Sequence, residues 1–290
     1  MRTEGALDRF IVQLEADGRS PHTIAQYRRH VTLFAAWAAS VELRGDVDSI
    51  GHEDVARFLA SKAARTTPDG RTKKATSANA LRTSLKVFFG YLHRAGITER
   101  DAGRLIRRAI TSAGPPKTLT LAEQDRLLEV LAAGGGFEAE RDHVLFMTML
   151  KTGVRVGSAV NLDVNDVDLD AGEITLRCKG DRIERTYLNA EVVEQLRKWI
   201  GERSVGPLFA TRHGSRLTTR QVARRLAQWV EKAGIKRAAS PHSLRHTFAM
   251  ALYRRTGDIL LVREALRHRS IASTLVYARA DTERIRRAMA

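Results

Sequence analysis

Residues 240–252 read S-P-H-S-L-R-H-T-F-A-M-A-L, and the stretch carries its own helix start. Ser240 is a capping residue, and Pro241 suits the first helical position, where a missing N–H costs nothing. His242 then lies in the first turn, and Arg245 projects from the same face. Leu244, Phe248 and Leu252 form the apolar stripe that anchors such a helix. An imidazole and a guanidinium at a helix N-terminus, whose N–H groups also attract negative charge, suit a phosphate. A core histidine beside a surface arginine fits the same spacing, and this stretch alone does not separate the two. His242 and His246 have the spacing of a helical zinc pair, but Ser243 stands where a zinc protease carries glutamate, so no metal is expected. His246 reads instead as a structural residue bonded within the fold.

Upstream, residues 150–162 read L-K-T-G-V-R-V-G-S-A-V-N-L. An apolar helix runs into Gly153, breaks, and presents Arg155 at the start of the next element. The glycine marks either a helix end or a close backbone approach to an anion. Residues 173–178 and 184–188 read as two short strands joined by a K-G-D-R-I turn, with Lys179 in it. Asp163, Asp166, Asp168 and Asp170 lack the glycine and terminal glutamate of a calcium loop and read as strand and turn residues. Helices are expected at 121–133, 139–152, 190–202, 219–233, 242–255, 258–267 and 271–278. The last of these carries Tyr277, which on its own reads as packing filler.

The first hundred residues read as helical. Ser20 and Pro21 start a helix on which Ile24, Tyr27, Val31, Phe34 and Ala38 recur at helical spacing, with Arg28, Arg29 and Thr32 on another face. Leu81, Leu85, Phe88, Phe89 and Leu92 mark another helix; residues 5–16 and 53–63 give two more. Residues 62–77, K-A-A-R-T-T-P-D-G-R-T-K-K-A-T-S, read as a basic loop leading into a helix N-terminus. Arg65, Arg71, Lys73 and Lys74 there, with Arg82 and Lys86 on the following helix, are candidate phosphate contacts. The stretch T-S-A-G-P-P-K-T-L-T, residues 111–120, ends the helical pattern, and Thr120 reads as the cap of a new helix. This gives a helical domain at 1–110, a linker at 111–116 and a mixed domain at 117–290.

Lys and Arg total 49 against 33 Asp and Glu, a formal charge of +16, which points to a polyanionic partner. No long basic amphipathic helix supports a membrane surface, and no apolar run is long enough to cross a bilayer. The single cysteine, Cys178, excludes an intramolecular disulfide and a cysteine metal cluster. The start lacks the apolar core of a signal peptide, and a cytoplasmic location, at the nucleoid, is expected. No phosphate-binding loop or dinucleotide fingerprint is found, and no cofactor is expected.

Taken together, T-G-V-R-x-x-x-A-V-N-L, a lysine in a hairpin, H-S-L-R-H-T-F-A and L-R-H-x-S-I-x-S-T-L-V-Y resemble the tyrosine recombinases, also called the phage integrase family. The resemblance covers most of residues 118–281, and the simpler, Xer-like members are the nearest in kind. It implies a mostly α fold with a small β-hairpin sheet: an all-helical, SAM-like core-binding domain followed by a mixed α+β catalytic domain. It implies Arg155 and Arg245 as the pair that clamps the scissile phosphate, Lys179 as general acid, His242 and His268 as the motif histidines, and Tyr277 as nucleophile. The chemistry is coherent. Two guanidiniums meet charge on a phosphoryl group, a lysine protonates the leaving 5′ oxygen, and the 3′-phosphotyrosine conserves the bond for rejoining, with neither metal nor ATP. The implied activity is site-specific recombination of double-stranded DNA by a homo-oligomer, tetrameric in the synapse and monomeric when free. A type IB topoisomerase and a non-catalytic DNA-binding protein are the alternatives. Departures from the family pattern are Ser158, where an acid is usual, Arg267, where glycine is usual, and a hairpin one residue longer than the common form.

Overall fold

A computed structural model of the chain describes residues 1–43, 46–111, 114–178, 182–268, 270–281, 286 and 289, without the side chains of Cys178 and Arg182. The chain divides into two compact units, Met1–Ala113 and Gly114–Ala290. The architecture is mostly helical, with one small antiparallel sheet.

The first unit holds α1 (Thr3–Ala16), α2 (Pro21–Ser40), α3 (His52–Ala60), α4 (Lys62–Arg65) and α5 (Ala75–Arg94). Its core is aromatic. Phe34 meets Phe58 and Phe89 edge-on with centroids 5.2 and 5.3 Å apart, and Phe10 meets Phe88 at 5.5 Å, the geometry in which ring edges face ring faces. Ser20 caps α2 as expected, accepting from the Thr23 N–H at 3.3 Å. The helix expected at 53–63 is broken: α3 stops at Ala60, Ser61 turns extended, and its hydroxyl caps the short α4. A serine that can cap competes with the helix it interrupts. For the same reason residues 62–65 are helical rather than loop, and α5 begins at Ala75, so the connecting loop is shorter than expected at both ends.

The second unit is built on α7 (Phe137–Thr152), buried on nearly all sides, against which α6 (Leu121–Ala132), α9 (Ala190–Ile200) and α11 (Pro241–Thr256) pack. α8 (Val156–Ala159) follows α7, and α10 (Thr219–Lys232) packs on α6 and α11. α12 (Ile259–Leu266) and α13 (Leu275–Ala280) lie against α11. Thr120 and Ser240 cap α6 and α11, each oxygen accepting a backbone N–H at 3.2 Å. A polar cluster ties α7 to α10: buried Asp142 accepts from Arg141, Arg225 and the Trp229 indole, so its charge is met on every side.

The sheet has order β1 (Val167–Asp168), β2 (Glu173–Cys178), β3 (Arg182–Tyr187), with Leu176 opposite Glu184. β1 is a strand the sequence pattern does not single out, and β3 starts before residue 184. In the acidic run, the Asp166 carboxylate takes the Asp163 N–H, and Asp168 takes the N–H groups of Asp170 and Ala171. The helix expected at 271–278 divides into a 3₁₀ turn at Ile271–Ser273 and α13. Thr274 lies between them, and its hydroxyl is engaged elsewhere.

Candidate active site

The candidate side chains come from four separate elements. α7 ends at Gly153 in the left-handed conformation, φ 65°, and a Cβ there would lie 2.4 Å from the Phe248 ring. The close approach seen here is to the Phe248 side chain. The tight exit places Arg155 as the residue preceding α8, exposed, with Nη2 donating to the Arg267 carbonyl at 3.4 Å.

α11 carries the next group. Arg245 is only 3% exposed, and its guanidinium donates to the carbonyls of Gly153 and Leu266. Those bonds fix the guanidinium plane and join the end of α7 to the end of α12. Burial, then repulsion from Arg155, lowers the Arg245 pKa to about 10, so it keeps its charge at neutral pH. His242 opens to solvent but sets its ring edge-on to His246, centroids 4.3 Å apart. Desolvation, then the charges of Arg245 and Arg155, lowers its pKa.

His268 follows the left-handed Arg267 at the end of α12, and Nδ1 is hydrogen-bonded to the Thr274 hydroxyl at 2.9 Å. Burial, then Arg245 and Arg155, pulls its pKa down to about 4. Tyr277, on α13, is 1% exposed among Ala249, Leu252, Tyr253, Val262 and Leu266. Its hydroxyl is hydrogen-bonded to His246 Nδ1 at 2.9 Å. Burial raises the phenol pKa, and Arg245 pulls against that rise. The fold thus gathers Arg155, His242, Arg245, His268 and Tyr277 into one electrostatic neighbourhood. Lys179 lies outside the described residues.

His246 is bonded within the fold, as read from sequence, but its partner is the hydroxyl of Tyr277 itself. That partner lies on a different helix, and no local pattern in the sequence points to it. Burial, then His242 and Arg245, lowers its pKa to about 4. With the nearby imidazoles uncharged, positive charge in the cluster rests on guanidiniums, which offer fixed, planar donors to a phosphoryl group. Beside the cluster opens a cavity of about 910 Å³ whose walls include Arg155, Ser158, Glu184, Arg267 and His268. Two of the three departures noted in the sequence, Ser158 and Arg267, therefore border it.

Of the six candidate phosphate contacts in the first unit, five line two separate cavities. Arg71, Lys73 and Lys74 line a groove of about 1340 Å³ with Arg29, His30 and Lys62. Arg65 and Arg82 line a different cavity, with His52 and Arg107. Lys86 Nζ reaches the Ile106 carbonyl at 3.5 Å. Lys73 Nζ donates to the Ala63 and Ala64 carbonyls at 3.2 and 3.1 Å, so it fastens the loop to α4. Arg71 pairs with Asp69 on its own loop, whereas Lys74 is exposed at the start of α5. Arg29 and Thr32, which their helical face already sets apart from the core, also line this groove. Among the described residues, no helix is long and apolar enough to cross a membrane.

Residues 117–284 match the Phage integrase family, and residues 7–96 match the Phage integrase, N-terminal SAM-like domain. The chain is 31% identical over 284 residues to Tyrosine recombinase XerC of Chromobacterium violaceum, covering 97% of this chain and 91% of that protein. It is 30% identical over 297 residues to Tyrosine recombinase XerD of Mycobacterium tuberculosis, covering 96% and 92%. The fold resembles the crystal structure of XerH site-specific recombinase bound to palindromic difH substrate, with a TM-score of 0.75 and 23% identity, over 96% of this chain and 84% of that one.

Proposed function

Because the chain belongs to the phage integrase family of tyrosine recombinases, site-specific enzymes that break and rejoin DNA, we propose that Tyr277 is its nucleophile. In this reading the Tyr277 oxygen bonds to the scissile phosphorus of duplex DNA, the bond to the 5′ oxygen breaks, and a 3′-phosphotyrosine remains. Arg155 and Arg245 meet the charge that grows on the non-bridging oxygens, each such preorganised donor contributing about 3–4 kcal/mol to the barrier reduction. His242 and His268 flank the same phosphate. Lys179, which follows β2 in the sequence, protonates the leaving 5′ oxygen. The phenol must lose its own proton, and an uncharged imidazole, His246, is already bonded to it. Rejoining runs the step backwards: a 5′ hydroxyl attacks the phosphotyrosine and returns the phenol.

A hydroxyl buried in the core does not reach a phosphate, so attack requires α13, six residues long, to carry Tyr277 outward when DNA is bound. Residues 1–110 grip the duplex and residues 117–290 perform the chemistry, joined by residues 111–116. Exchange joins two duplexes, with four protomers in the synapse and monomers off DNA. The protein acts in the cytoplasm, at the nucleoid.

The observation that carries the reading is the convergence of Arg155, His242, Arg245, His268 and Tyr277 from four elements onto one cluster. The test uses the full-length protein and a duplex that it selects from a random pool, nicked beside the cleavage point so that the cut strand escapes. Wild type is expected to form a covalent protein–DNA adduct, and Tyr277→Phe none. No adduct with wild type on its selected site, or an undiminished adduct with Tyr277→Phe, overturns the assignment.

A further inference from the structure

Arg267 occupies a left-handed backbone position, φ 52° and ψ 49°, that glycine adopts freely and a side chain adopts only against steric resistance. What the side chain does there is therefore informative. Its Nε lies 3.3 Å from a carboxylate oxygen of Glu184, on β3, and its Nη1 donates to the Ala265 carbonyl at 3.2 Å. The pair is well shielded, with the side chains 13% and 24% exposed. Among the described residues, that same Glu184 oxygen is buried with no hydrogen-bond partner, and the adjacent Arg267 charge helps compensate it. The Arg267 carbonyl accepts from Arg155 Nη2, and the next residue is His268, held through Thr274. One residue thus joins β3, an arginine and a histidine of the candidate site.

We propose that the Arg267–Glu184 ion pair is a brace that positions Arg155 and His268. It anchors the turn after α12 to β3, so that the carbonyl receiving Arg155 and the backbone presenting His268 hold one geometry. Arg267 is a positioning residue in this account, with no contact to the phosphate. The charges also balance locally: Arg267 opposes the charge on Arg245, and Glu184 favours it. The brace rests on the reading of Arg155 and His268 as phosphate-binding groups.

The experiment is a double-mutant cycle in the full-length protein, comparing wild type, Arg267→Gly, Glu184→Gln and the pair, with Arg267→Lys as a charge-retaining variant. The probe is the self-selected nicked duplex, read by the single-turnover rate of adduct formation and, separately, by affinity for the intact site. Each single variant is expected to form adduct about 10-fold more slowly or worse, since small misplacements of catalytic groups cost rate steeply. Affinity is expected to stay within about twofold, because positioning acts on the reaction rather than on binding. The double variant is expected to be no slower than the slower single one, and Arg267→Lys to recover part of the loss. Arg267→Gly relaxes the backbone, so misfolding is not its expected effect, and its thermal transition is measured alongside. A wild-type rate for Arg267→Gly overturns the brace. So does a defect that Glu184→Gln does not share, additive defects, or loss of affinity matching the loss of rate. If wild type itself forms no adduct, the catalytic reading fails first and the brace falls with it.

Discussion

At the scale of single residues, His246 and Tyr277 define the state of the site. Burial, then His242 and Arg245, holds the His246 ring down to about 4, against about 6.5 for a free imidazole. Between those values the unfolded chain binds a proton that the folded chain refuses. This group therefore leaves stability unchanged above about pH 6.5 and erodes it as pH falls toward 4, and His268 acts in the same sense. The charged and titratable groups facing His246 are His242, Arg245, His268 and Tyr277. His246→Gln is expected to show a smaller fall in urea midpoint between about pH 7 and pH 4.5 than wild type. An equal fall would mean that His246 is not held neutral by the fold. Tyr277→Phe, besides ending adduct formation, removes the hydrogen bond to His246 and is expected to cost about 1 kcal/mol in the same titration. The pairing was not legible in the sequence, because the two residues lie on different helices and no local pattern links them. His242 and Arg245 were legible because a capping serine, a proline and an apolar stripe fix their face locally.

At the scale of elements, the decisive point is the end of α7. Gly153 has a left-handed backbone, its carbonyl receives Arg245, and the Phe248 ring lies where a Cβ would point. Gly153→Ala meets both a steric backbone cost and an overpacked contact, together about 2–4 kcal/mol. It is expected to lower the unfolding midpoint by that amount and to slow adduct formation, since Arg155 and Arg245 both depend on that turn. Adding Phe248→Leu removes the contact but not the backbone cost, so it is expected to restore part of the stability; no restoration would place the whole cost in the backbone. The helix starts at Ser20, Thr120 and Ser240 could be read in advance because capping is written in adjacent residues. The break at Ser61 and the division at Thr274 could not. In each case a hydroxyl chooses between continuing a helix and serving a partner, and at Thr274 that partner, His268, is set by tertiary packing. The two-residue β1 is equally silent, since its strand character comes from pairing with β2.

At the scale of the whole molecule, a formal charge of +16 sets how strongly DNA binding responds to salt. Each phosphate neutralised releases counterions, and the slope of log K against log salt changes by about 0.9 per contact on duplex DNA. The structure separates two adjacent lysines that the sequence offered as equals. Lys74 stands exposed at the start of α5 in the groove with Arg29, so its ammonium is available to a phosphate. Lys73 spends its donors on the Ala63 and Ala64 carbonyls, and burial lowers its pKa. Lys74→Ala is therefore expected to weaken binding at low salt and to flatten the salt slope by about 0.9, with the unfolding midpoint unchanged. Lys73→Ala is expected to lower the unfolding midpoint and leave the slope nearly as it was, because it removes a fastening of the loop rather than a phosphate contact. Titrating a labelled duplex at several salt concentrations, alongside urea unfolding of each variant, measures both quantities. Equal slopes for Lys74→Ala and wild type would remove Lys74 from the interface. A flattened slope for Lys73→Ala would mean that DNA draws its ammonium away from the carbonyls that hold it.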